Sequence, residues 1–272
     1  MPPILAQELT VNNGRHKIHA RIDGAAAGPT VLLANGLGLD LRMWDAQLPQ
    51  LVRHFRIVRF DNRGHGGSQS PTGALNMETV ASDAMSVLDA IGAETVNVVG
   101  LSMGGMLALW LAAHHPQRVE KVIAANLGGA STAEMWNSRI KAVNEGGMAA
   151  VSAGMGERWF TAPFLAASPE QVQPILDQLA CTSPQGYAAG CAAVRDVDVQ
   201  ALLPSIKSPT LVIAGRHDRV TDPALGAKIA AGIAGAQFLE LDAGHLSNVE
   251  QSDAFSTAIL DFLAPDPERH IN

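Results

Sequence analysis

The chain has 272 residues, of which 47% are hydrophobic and 17% charged, a composition typical of a folded globular protein and unlike that of a disordered one. Its length allows one large core or two small domains. The formal net charge of −7 offers no basic surface to nucleic acid or anionic lipid, so we expect neither a nucleic-acid partner nor a membrane partner.

The N-terminal segment MPPILAQELT has no basic region and no long apolar stretch, so we do not expect a secretory signal. No window approaches the roughly 20 apolar residues that span a bilayer. Cys181 and Cys191 are too few for a disulfide framework in a chain of this size, and we expect two buried thiols. These features predict a cytoplasmic protein, and a homo-oligomer is compatible with them.

The first half of the chain alternates short runs rich in Val, Ile and Leu with amphipathic segments. Strands that are apolar at nearly every position and separated by helices are typical of a parallel sheet covered on both faces. Residues 7–22 predict an antiparallel hairpin at one edge of this sheet. The predicted strands are 30–36, 55–62, 95–102 and 119–127, and the predicted helices between them are 41–52, 77–91 and 103–115.

After Leu127 the pattern changes, because residues 128–203 hold helical pieces interrupted by glycine and proline, with no clear strand. The chain then completes the same strand pattern, which favours a helical insertion over a separate helical domain. The later predicted strands are 208–215 and 236–244, and the later predicted helices are 222–234 and 249–263.

These elements predict an α/β fold with a mostly parallel eight-stranded sheet flanked by helices and a helical cap inserted after the sixth strand. We assign residues 1–127 and 204–265 to the core and residues 128–203 to the cap. Residues 266–272 are expected to form a flexible tail.

The run Gly100-Leu101-Ser102-Met103-Gly104 follows a predicted strand and begins a predicted helix. A sharp strand-to-helix turn leaves no room for side chains beside the serine, and it exposes the hydroxyl above the strand ends, close to a helix N-terminus. By itself this pattern also recurs by chance and as an ordinary glycine turn. In this context it predicts that Ser102 is the nucleophile of an α/β-hydrolase.

A serine nucleophile needs a base, and the base needs an acid that orients it. In this fold the acid and then the histidine follow the serine, each on a loop after a later strand. Asp218 follows the run LVIAG, and His245 follows FLELDAG. Asp218 could instead cap a helix and His245 could be a surface residue, but their order and placement favour catalysis. Some relatives carry the acid after the strand that precedes the cap, where this chain has Asn126.

The remaining histidines are given no catalytic role. His65 lies in the DNRGHGGS turn, which we expect to be structural. His114 and His115 end a predicted helix, where they complement its dipole, and His217 is expected to face solvent.

A tetrahedral oxyanion needs two backbone N–H donors, one from the residue after the nucleophile and one from an early loop. Met103 is the first candidate, and Leu37, in the glycine-rich turn after the strand TVLLA, is the second. That turn also serves simply to join a strand to a helix. It carries no dinucleotide fingerprint, since Leu41 stands where a third glycine is needed, and no residues have metal-ligand spacing. We therefore expect no cofactor and no metal.

Several segments together resemble the 3-oxoadipate enol-lactonases, α/β-hydrolases of bacterial aromatic-acid degradation. The similarity extends over nearly the whole chain, including the cap, where members of the superfamily usually differ. The catalytic motifs are shared by many hydrolases, whereas the cap segments are more particular to the lactonases. The segments are ANGLGLDLRMWDAQLPQL, RFDNRGHGGS, GLSMGGM, EMWNSR, RWFT, TSPQGY with the later Asp196, and LDAGHLSNVE.

The resemblance implies hydrolysis of a small enol-lactone that bears a carboxylate, with Ser102 attacking the ring carbonyl. A carboxylate substrate calls for a cation in the pocket, and Arg139 in EMWNSR is the candidate, with Trp136 as an apolar wall. Arg139 could equally be an exposed charge on a cap helix.

Two positions depart from the family pattern. The family often has Asn-Ser where this chain has Asn35-Gly36, and it often has a second arginine near the position of Asn144. Loss of a cation weakens binding of a small anion, so a different lactone or ester stays open as substrate.

Other functions stay open as well. The same triad serves carboxylesterases, carbon–carbon bond hydrolases of ring-fission products and cofactor-free perhydrolases. A haloalkane dehalogenase is disfavoured, because its nucleophile would be an aspartate in place of Ser102. A non-catalytic ligand-binding protein does not require an intact triad and is disfavoured too.

Overall fold

A computed structural model describes residues 5–24, 27–128 and 132–264 of the chain. Its strands are β1 Leu5–Asn13, β2 His16–Gly24, β3 Thr30–Ala34, β4 Arg56–Phe60, β5 Val96–Leu101, β6 Val119–Ala125, β7 Thr210–Gly215 and β8 Gln237–Leu241. They form one sheet in the order β1-β2-β4-β3-β5-β6-β7-β8. Strands β3 to β8 are parallel, and β2 is antiparallel to β1 and β4. The mostly parallel eight-stranded sheet is thus confirmed, and the predicted tail at 266–272 lies outside the described residues.

The helices predicted at 77–91, 103–115 and 222–234 lie close to those positions. The helices are α1 Leu48–Leu51, α2 Met77–Ala90, α3 Met103–His114, α4 Ala133–Gly146, α5 Ala149–Ser152, α6 Met155–Trp159, α7 Ala162–Ala167, α8 Pro169–Cys181, α9 Pro184–Asp196, α10 Val199–Leu202, α11 Pro223–Ala231, α12 Ser247–Glu250 and α13 Ser252–Leu263, with 3-10 helices at Leu41–Trp44 and Leu203–Ser205. Helices α4 to α10 all lie between β6 and β7, and we call them the cap helices.

One predicted helix is wrong. Residues 41–52 form a 3-10 helix followed by the single turn α1, and not one continuous helix. Pro49 has no N–H, so a continuous helix would lose its hydrogen bond to the carbonyl of Asp45. The predicted helix at 249–263 is likewise divided into α12 and α13, with Gln251 between them in a non-helical conformation, φ −124° and ψ 51°.

The central strands are apolar at nearly every position because both faces of the sheet are covered. Leu32, Val98 and Val212 point to the side packed by α2, α3 and α11. Their sequence neighbours Leu33 and Val99 point to the other side, where the 3-10 helix, α1 and α13 pack. Side chains alternate between the two faces of a strand, so a strand buried on both sides has few polar positions.

The cap helices are hydrogen-bonded to the loops at the carboxyl ends of the strands. The Thr182 hydroxyl donates to the carbonyl of Gly38 at 3.0 Å, and the Ser183 N–H donates to the carbonyl of Gly64 at 2.9 Å. The turn between α8 and α9 is therefore fixed to the core. No helix within the described ranges is long and apolar enough to cross a bilayer.

The two cysteines differ in burial. Cys191 in α9 is buried, as expected, but Cys181 at the end of α8 is exposed, contrary to our expectation. It lies about 180° around the helix from the buried Val172, on the face of α8 turned to solvent.

Candidate active site

Ser102 forms the sharp turn between β5 and α3. Its backbone angles, φ 58° and ψ −117°, lie in a region that few non-glycine residues adopt. Its N–H donates to the carbonyl of Ala125 at 2.8 Å, and its own carbonyl accepts from the N–H of Met106 at 3.1 Å. These bonds to β6 and to the first turn of α3 hold a strained backbone, which costs about 1–3 kcal/mol, in a single position.

The glycines on either side of Ser102 are required by close backbone contacts. A Cβ on Gly100 would lie 1.9 Å from the carbonyl oxygen of Gly104, and a Cβ on Gly104 would lie 2.0 Å from that of Ala34. Backbone atoms cannot move away as a flexible side chain can. The spacing of glycines around the serine is therefore a steric condition of this turn.

Asp218, on the loop after β7, has a side chain that is only 1% exposed. Its Oδ1 accepts from the N–H groups of Val220 and Thr221 at 2.7 and 2.9 Å. Its Oδ2 accepts from the Thr221 hydroxyl at 2.5 Å and from Nδ2 of Asn126 at 3.1 Å. The carboxylate is thus buried but well supplied with donors, as a buried charge must be.

His245, on the loop after β8, points its Nδ1 at Oδ2 of Asp218 at 2.8 Å, and its side chain is 4% exposed. Burial acts to raise the pKa of Asp218, but the charge of His245 and the hydrogen bonds from His245 and Thr221 outweigh it and hold the pKa below its ordinary value. A proton placed on Nδ1 by this network leaves Nε2 as the acceptor nitrogen. The structure thus brings the predicted acid and base together in the order that general-base chemistry needs.

Leu37 and Met103, the predicted oxyanion donors, lie side by side beneath α9. A Cβ on Gly190 would lie 2.5 Å from Cδ1 of Leu37 and 3.6 Å from Sδ of Met103, so a larger residue there would displace the Leu37 side chain. Within the described part of the chain, neither backbone N–H donates a hydrogen bond. These two unused N–H donors, one on the loop after β3 and one at the first residue of α3, can stabilise a developing negative charge.

His65 holds the loop that carries Leu37. Its Nε2 accepts from the N–H of Gly38 at 3.0 Å, and its Nδ1 donates to the carbonyl of Arg63 at 3.1 Å. Burial lowers the pKa of this imidazole, which keeps it neutral and able to accept. The sequence assigned the DNRGHGGS turn a structural role, and the bond to Gly38 identifies what the turn supports.

Ser102 lies in a pocket of about 380 Å³ beneath the cap helices. The lining combines apolar side chains with three arginines and two carboxylates, and it includes Leu37, Ser102, Met106, Trp136, Arg139, Arg158, Val194, Asp218, Arg219, Thr221 and Asp222. Three larger clefts, of about 810, 550 and 410 Å³, lie elsewhere on the described part of the molecule, and Ser102 lines none of them. The smaller pocket is the candidate active site because it holds the reactive hydroxyl.

Three arginines line this pocket, namely Arg139 and Arg158 of the cap helices and the exposed Arg219 on the loop after β7. Arg139 of α4 lies over the ring of Trp136, 5.3 Å from its centroid, and is hydrogen-bonded to Tyr187. Partial burial and the positive charge of Arg139 lower the pKa of Arg158 on α6. Neither Arg139 nor Arg158 has a carboxylate within 4.0 Å in the described part of the chain. The lining also includes the carboxylates of Asp218 and Asp222, but the two cap arginines have no carboxylate partner among the described residues.

Arg158 was missed by the sequence analysis. Its only signal was its place in the RWFT segment, and a five-residue helix such as α6 does not reveal which side chain turns inward. The structure also places Asn144 in a separate cleft with Gln185 and Arg195. A second cation is therefore present beside Ser102, although it comes from a different helix than the family pattern suggested.

The other histidines lie away from Ser102. His114 stacks on Trp110 with ring centroids 4.0 Å apart, and His217 is exposed with its Nε2 2.8 Å from Asp242. Among the described residues there is no group of three or more His, Cys, Asp or Glu side chains that could hold a metal ion.

A sequence model of the alpha/beta hydrolase fold matches residues 29–252. The chain therefore belongs to the α/β-hydrolases, and it is a hydrolase of ester bonds, as predicted. 3-Oxoadipate enol-lactonase 2 of Acinetobacter baylyi is 36% identical over 87% of this chain and 89% of its own length. Within the α/β-hydrolases, the chain belongs to the 3-oxoadipate enol-lactonase family, which confirms the resemblance.

Solved structures agree with this assignment. The enol-lactonase of Burkholderia xenovorans LB400 has a TM-score of 0.91 and 38% identity, covering 95% of this chain and 100% of that chain. A thermophilic esterase of Thermogutta terrifontis, solved with malate bound, has a TM-score of 0.87 and 28% identity, covering 95% of this chain and 98% of that chain.

Proposed function

We propose that this protein hydrolyses a small lactone bearing a carboxylate, of the 3-oxoadipate enol-lactone type, with Ser102 as nucleophile, His245 as base and Asp218 as the acid that orients it. The observation that carries the proposal is the pair Arg139 and Arg158 beside Ser102, without a carboxylate partner in the described chain. Two unneutralised cations in a pocket of this size suit a small anion better than a neutral ester.

In the first half of the reaction, His245 Nε2 takes the proton of the Ser102 hydroxyl as the oxygen attacks the ring carbonyl. The N–H groups of Leu37 and Met103 receive the negative charge of the tetrahedral intermediate. Collapse of the intermediate breaks the ring carbon–oxygen bond, and His245 returns its proton to the leaving enolate oxygen. The acyl group stays on Ser102, and the former leaving group stays attached to it because the substrate was a ring.

In the second half, His245 removes a proton from water, which attacks the acyl carbonyl. A second tetrahedral intermediate forms on the same two N–H groups and releases Ser102 with the proton from His245. The product carries one more carboxylate than the substrate. Asp218 stabilises the imidazolium in both halves and keeps its Nδ1 in place.

The substrate carboxylate is proposed to bind Arg139 and Arg158, with Trp136 against the ring. The hydrogen bond that Arg139 donates to Tyr187 and the contact with Trp136 hold the Arg139 guanidinium in one orientation. A charge-assisted hydrogen bond of this kind contributes about 1.5–3 kcal/mol. The malate in the related thermophilic esterase is consistent with binding of a small carboxylate in this fold.

A carboxylesterase is the second candidate. It is favoured by Gly36, which leaves more room beside Ser102 than the serine common in the lactonases, since a Cβ at this position would lie 3.8 Å from Cβ of Ser102. A carbon–carbon bond hydrolase or a perhydrolase requires the same triad, and neither is favoured by a separate observation. A non-catalytic ligand-binding protein stays the least favoured alternative.

Two measurements test the proposal. A fluorophosphonate probe should label the wild-type protein and fail to label the Ser102→Ala variant; equal labelling of both contradicts the proposed nucleophile.

Turnover of 3-oxoadipate enol-lactone should exceed that of p-nitrophenyl acetate and of simple γ- and δ-lactones. Labelling without any preference for the enol-lactone would leave the carboxylesterase.

A further inference from the structure

The loop that carries His245 is hydrogen-bonded to the cap. The N–H of Leu246 donates to the carbonyl of Trp159, at the end of α6, at 3.1 Å. On the other side of His245, Gly244 packs against the same cap residue: a Cβ there would lie 2.6 Å from the carbonyl oxygen of Trp159. Glycine at 244 therefore permits the cap and the histidine loop to approach this closely.

A single carboxylate joins the two segments. Oε2 of Glu250 accepts from the N–H of Gly244 at 2.9 Å and from the N–H of Thr161 at 3.2 Å. Oε1 of the same carboxylate accepts from the Thr161 hydroxyl. Thr161 belongs to the cap and Gly244 directly precedes His245. The Glu250 side chain is therefore hydrogen-bonded to the cap and to the histidine loop at the same time.

The peptide groups at Gly244 are consequently held from two directions. Its N–H is bound by Glu250, and its carbonyl accepts from Nδ2 of Asn126 at 3.3 Å. The same Asn126 nitrogen donates to Asp218, which binds the His245 ring. This hydrogen-bond network therefore runs from Thr161 of the cap, through the backbone next to His245, to Asp218.

We propose that Glu250 is a positioning residue, which joins the cap to the histidine loop and thereby holds the His245 ring on Asp218. The inference rests on the proposed role of His245 as base. Glu250 contacts neither the pocket nor any reacting atom; it acts through the backbone of Gly244. Loss of this bond displaces the base, and a displacement of about 1 Å costs up to roughly a hundredfold in rate.

Alanine and glutamine at position 250 separate this role from general stabilisation. Glu250→Ala removes both sets of bonds and should lower kcat roughly tenfold to a hundredfold, with KM almost unchanged. Glu250→Gln can keep its carbonyl on the two N–H groups and donate its amide to Thr161, so it should restore most of kcat. Glu157→Ala, which removes an exposed carboxylate from α6, is the matched control and should behave as wild type.

The low-field proton resonance of His245 Nδ1 gives a readout that does not depend on turnover. In Glu250→Ala this resonance should broaden, because a loosened ring exchanges its proton with water faster. Thr161→Val loses the hydroxyl that donates to Glu250 and that also accepts from the N–H of Phe164 at the start of α7, and it should broaden the resonance to a smaller extent. If Glu250→Ala does not fold, Thr161→Val decides the matter alone.

An unchanged resonance and an unchanged kcat in these variants, with only a lower melting temperature, would overturn the proposal. Failure of the proposed function is recognised separately. In that case the wild-type protein neither reacts with a fluorophosphonate nor hydrolyses lactones, while the resonance still shows whether Glu250 positions the ring.

Discussion

Arg139 and Arg158 come from different cap helices to the same pocket, close enough that the charge of Arg139 lowers the pKa of Arg158. Two guanidinium groups repel each other, so this arrangement costs free energy in the empty pocket. An anion bound between them removes the repulsion. The pair is therefore better explained by a ligand than by the stability of the cap.

The first prediction concerns this pair. Arg139→Ala and Arg158→Ala should each raise KM for the carboxylate-bearing lactone roughly tenfold to a hundredfold, since each removes a charge-assisted hydrogen bond of about 1.5–3 kcal/mol. Neither should change KM for p-nitrophenyl acetate by more than about twofold. Steady-state kinetics on both substrates provide the measurement. Lys141→Ala on the exposed face of α4 is the control, and equal losses on the neutral ester would refute the role of the pair.

A second prediction concerns Asp218, whose pKa lies below the ordinary value of 3.8. Between the two pKa values the unfolded chain binds a proton that the folded chain does not, so the carboxylate stabilises the fold above pH 3.8 and this contribution is lost as the pH falls through the folded pKa. In Asp218→Asn the free energy of unfolding, measured by urea denaturation, should therefore decrease less steeply at acid pH than in the wild-type protein. Its kcat should fall by roughly 10⁴-fold. If the free energy of unfolding of the variant falls as steeply at acid pH as that of the wild type, Asp218 is not the cause of this pH dependence.

The third prediction concerns His65, whose pKa burial holds below the ordinary value of 6.5. Below pH 6.5 His65 is protonated in the unfolded chain but stays neutral in the folded chain. The free energy of unfolding therefore decreases as the pH is lowered from 6.5 to the pKa of His65 in the folded protein. His65→Gln has no such group and should lack this part of the slope. It should also lower kcat on every ester alike, because the N–H of Gly38 loses its acceptor and the Leu37 loop loosens. A loss confined to one substrate would contradict this role.

The fourth prediction compares two glycines near Ser102, Gly36 on the loop after β3 and Gly104 in the first turn of α3. A Cβ on Gly36 would meet its nearest neighbours at 3.7–3.8 Å, which is ordinary contact, and its φ lies outside the left-handed region. Gly36→Ala should therefore stabilise the protein by about 0.4–1 kcal/mol through the unfolded chain. Gly104→Ala should prevent folding or abolish activity, because its Cβ would lie 2.0 Å from a backbone oxygen. Chemical denaturation separates the two, and similar stability of both variants would contradict the geometry.

The residues predicted from sequence are those whose role follows from local pattern. Ser102 is marked by the glycines that its turn requires, and Asp218 and His245 by their places after strands. Arg158 and Glu250 have no such mark. Each acts through partners far away in the chain, Glu250 through Thr161 of the cap, and those contacts depend on how short cap helices are oriented. No periodicity in the sequence encodes that orientation. For this reason the sequence analysis looked for a second cation near Asn144 and did not identify Arg158.

The central claim is that the pocket recognises the carboxylate of a small lactone that Ser102 opens. The most direct measurement compares kcat/KM of the wild-type enzyme for 3-oxoadipate enol-lactone with that for the same ring bearing a primary amide in place of the carboxylate. The free acid should be preferred by about tenfold or more, as expected for one charge-assisted contact. Equal values for the acid and the amide would contradict the account.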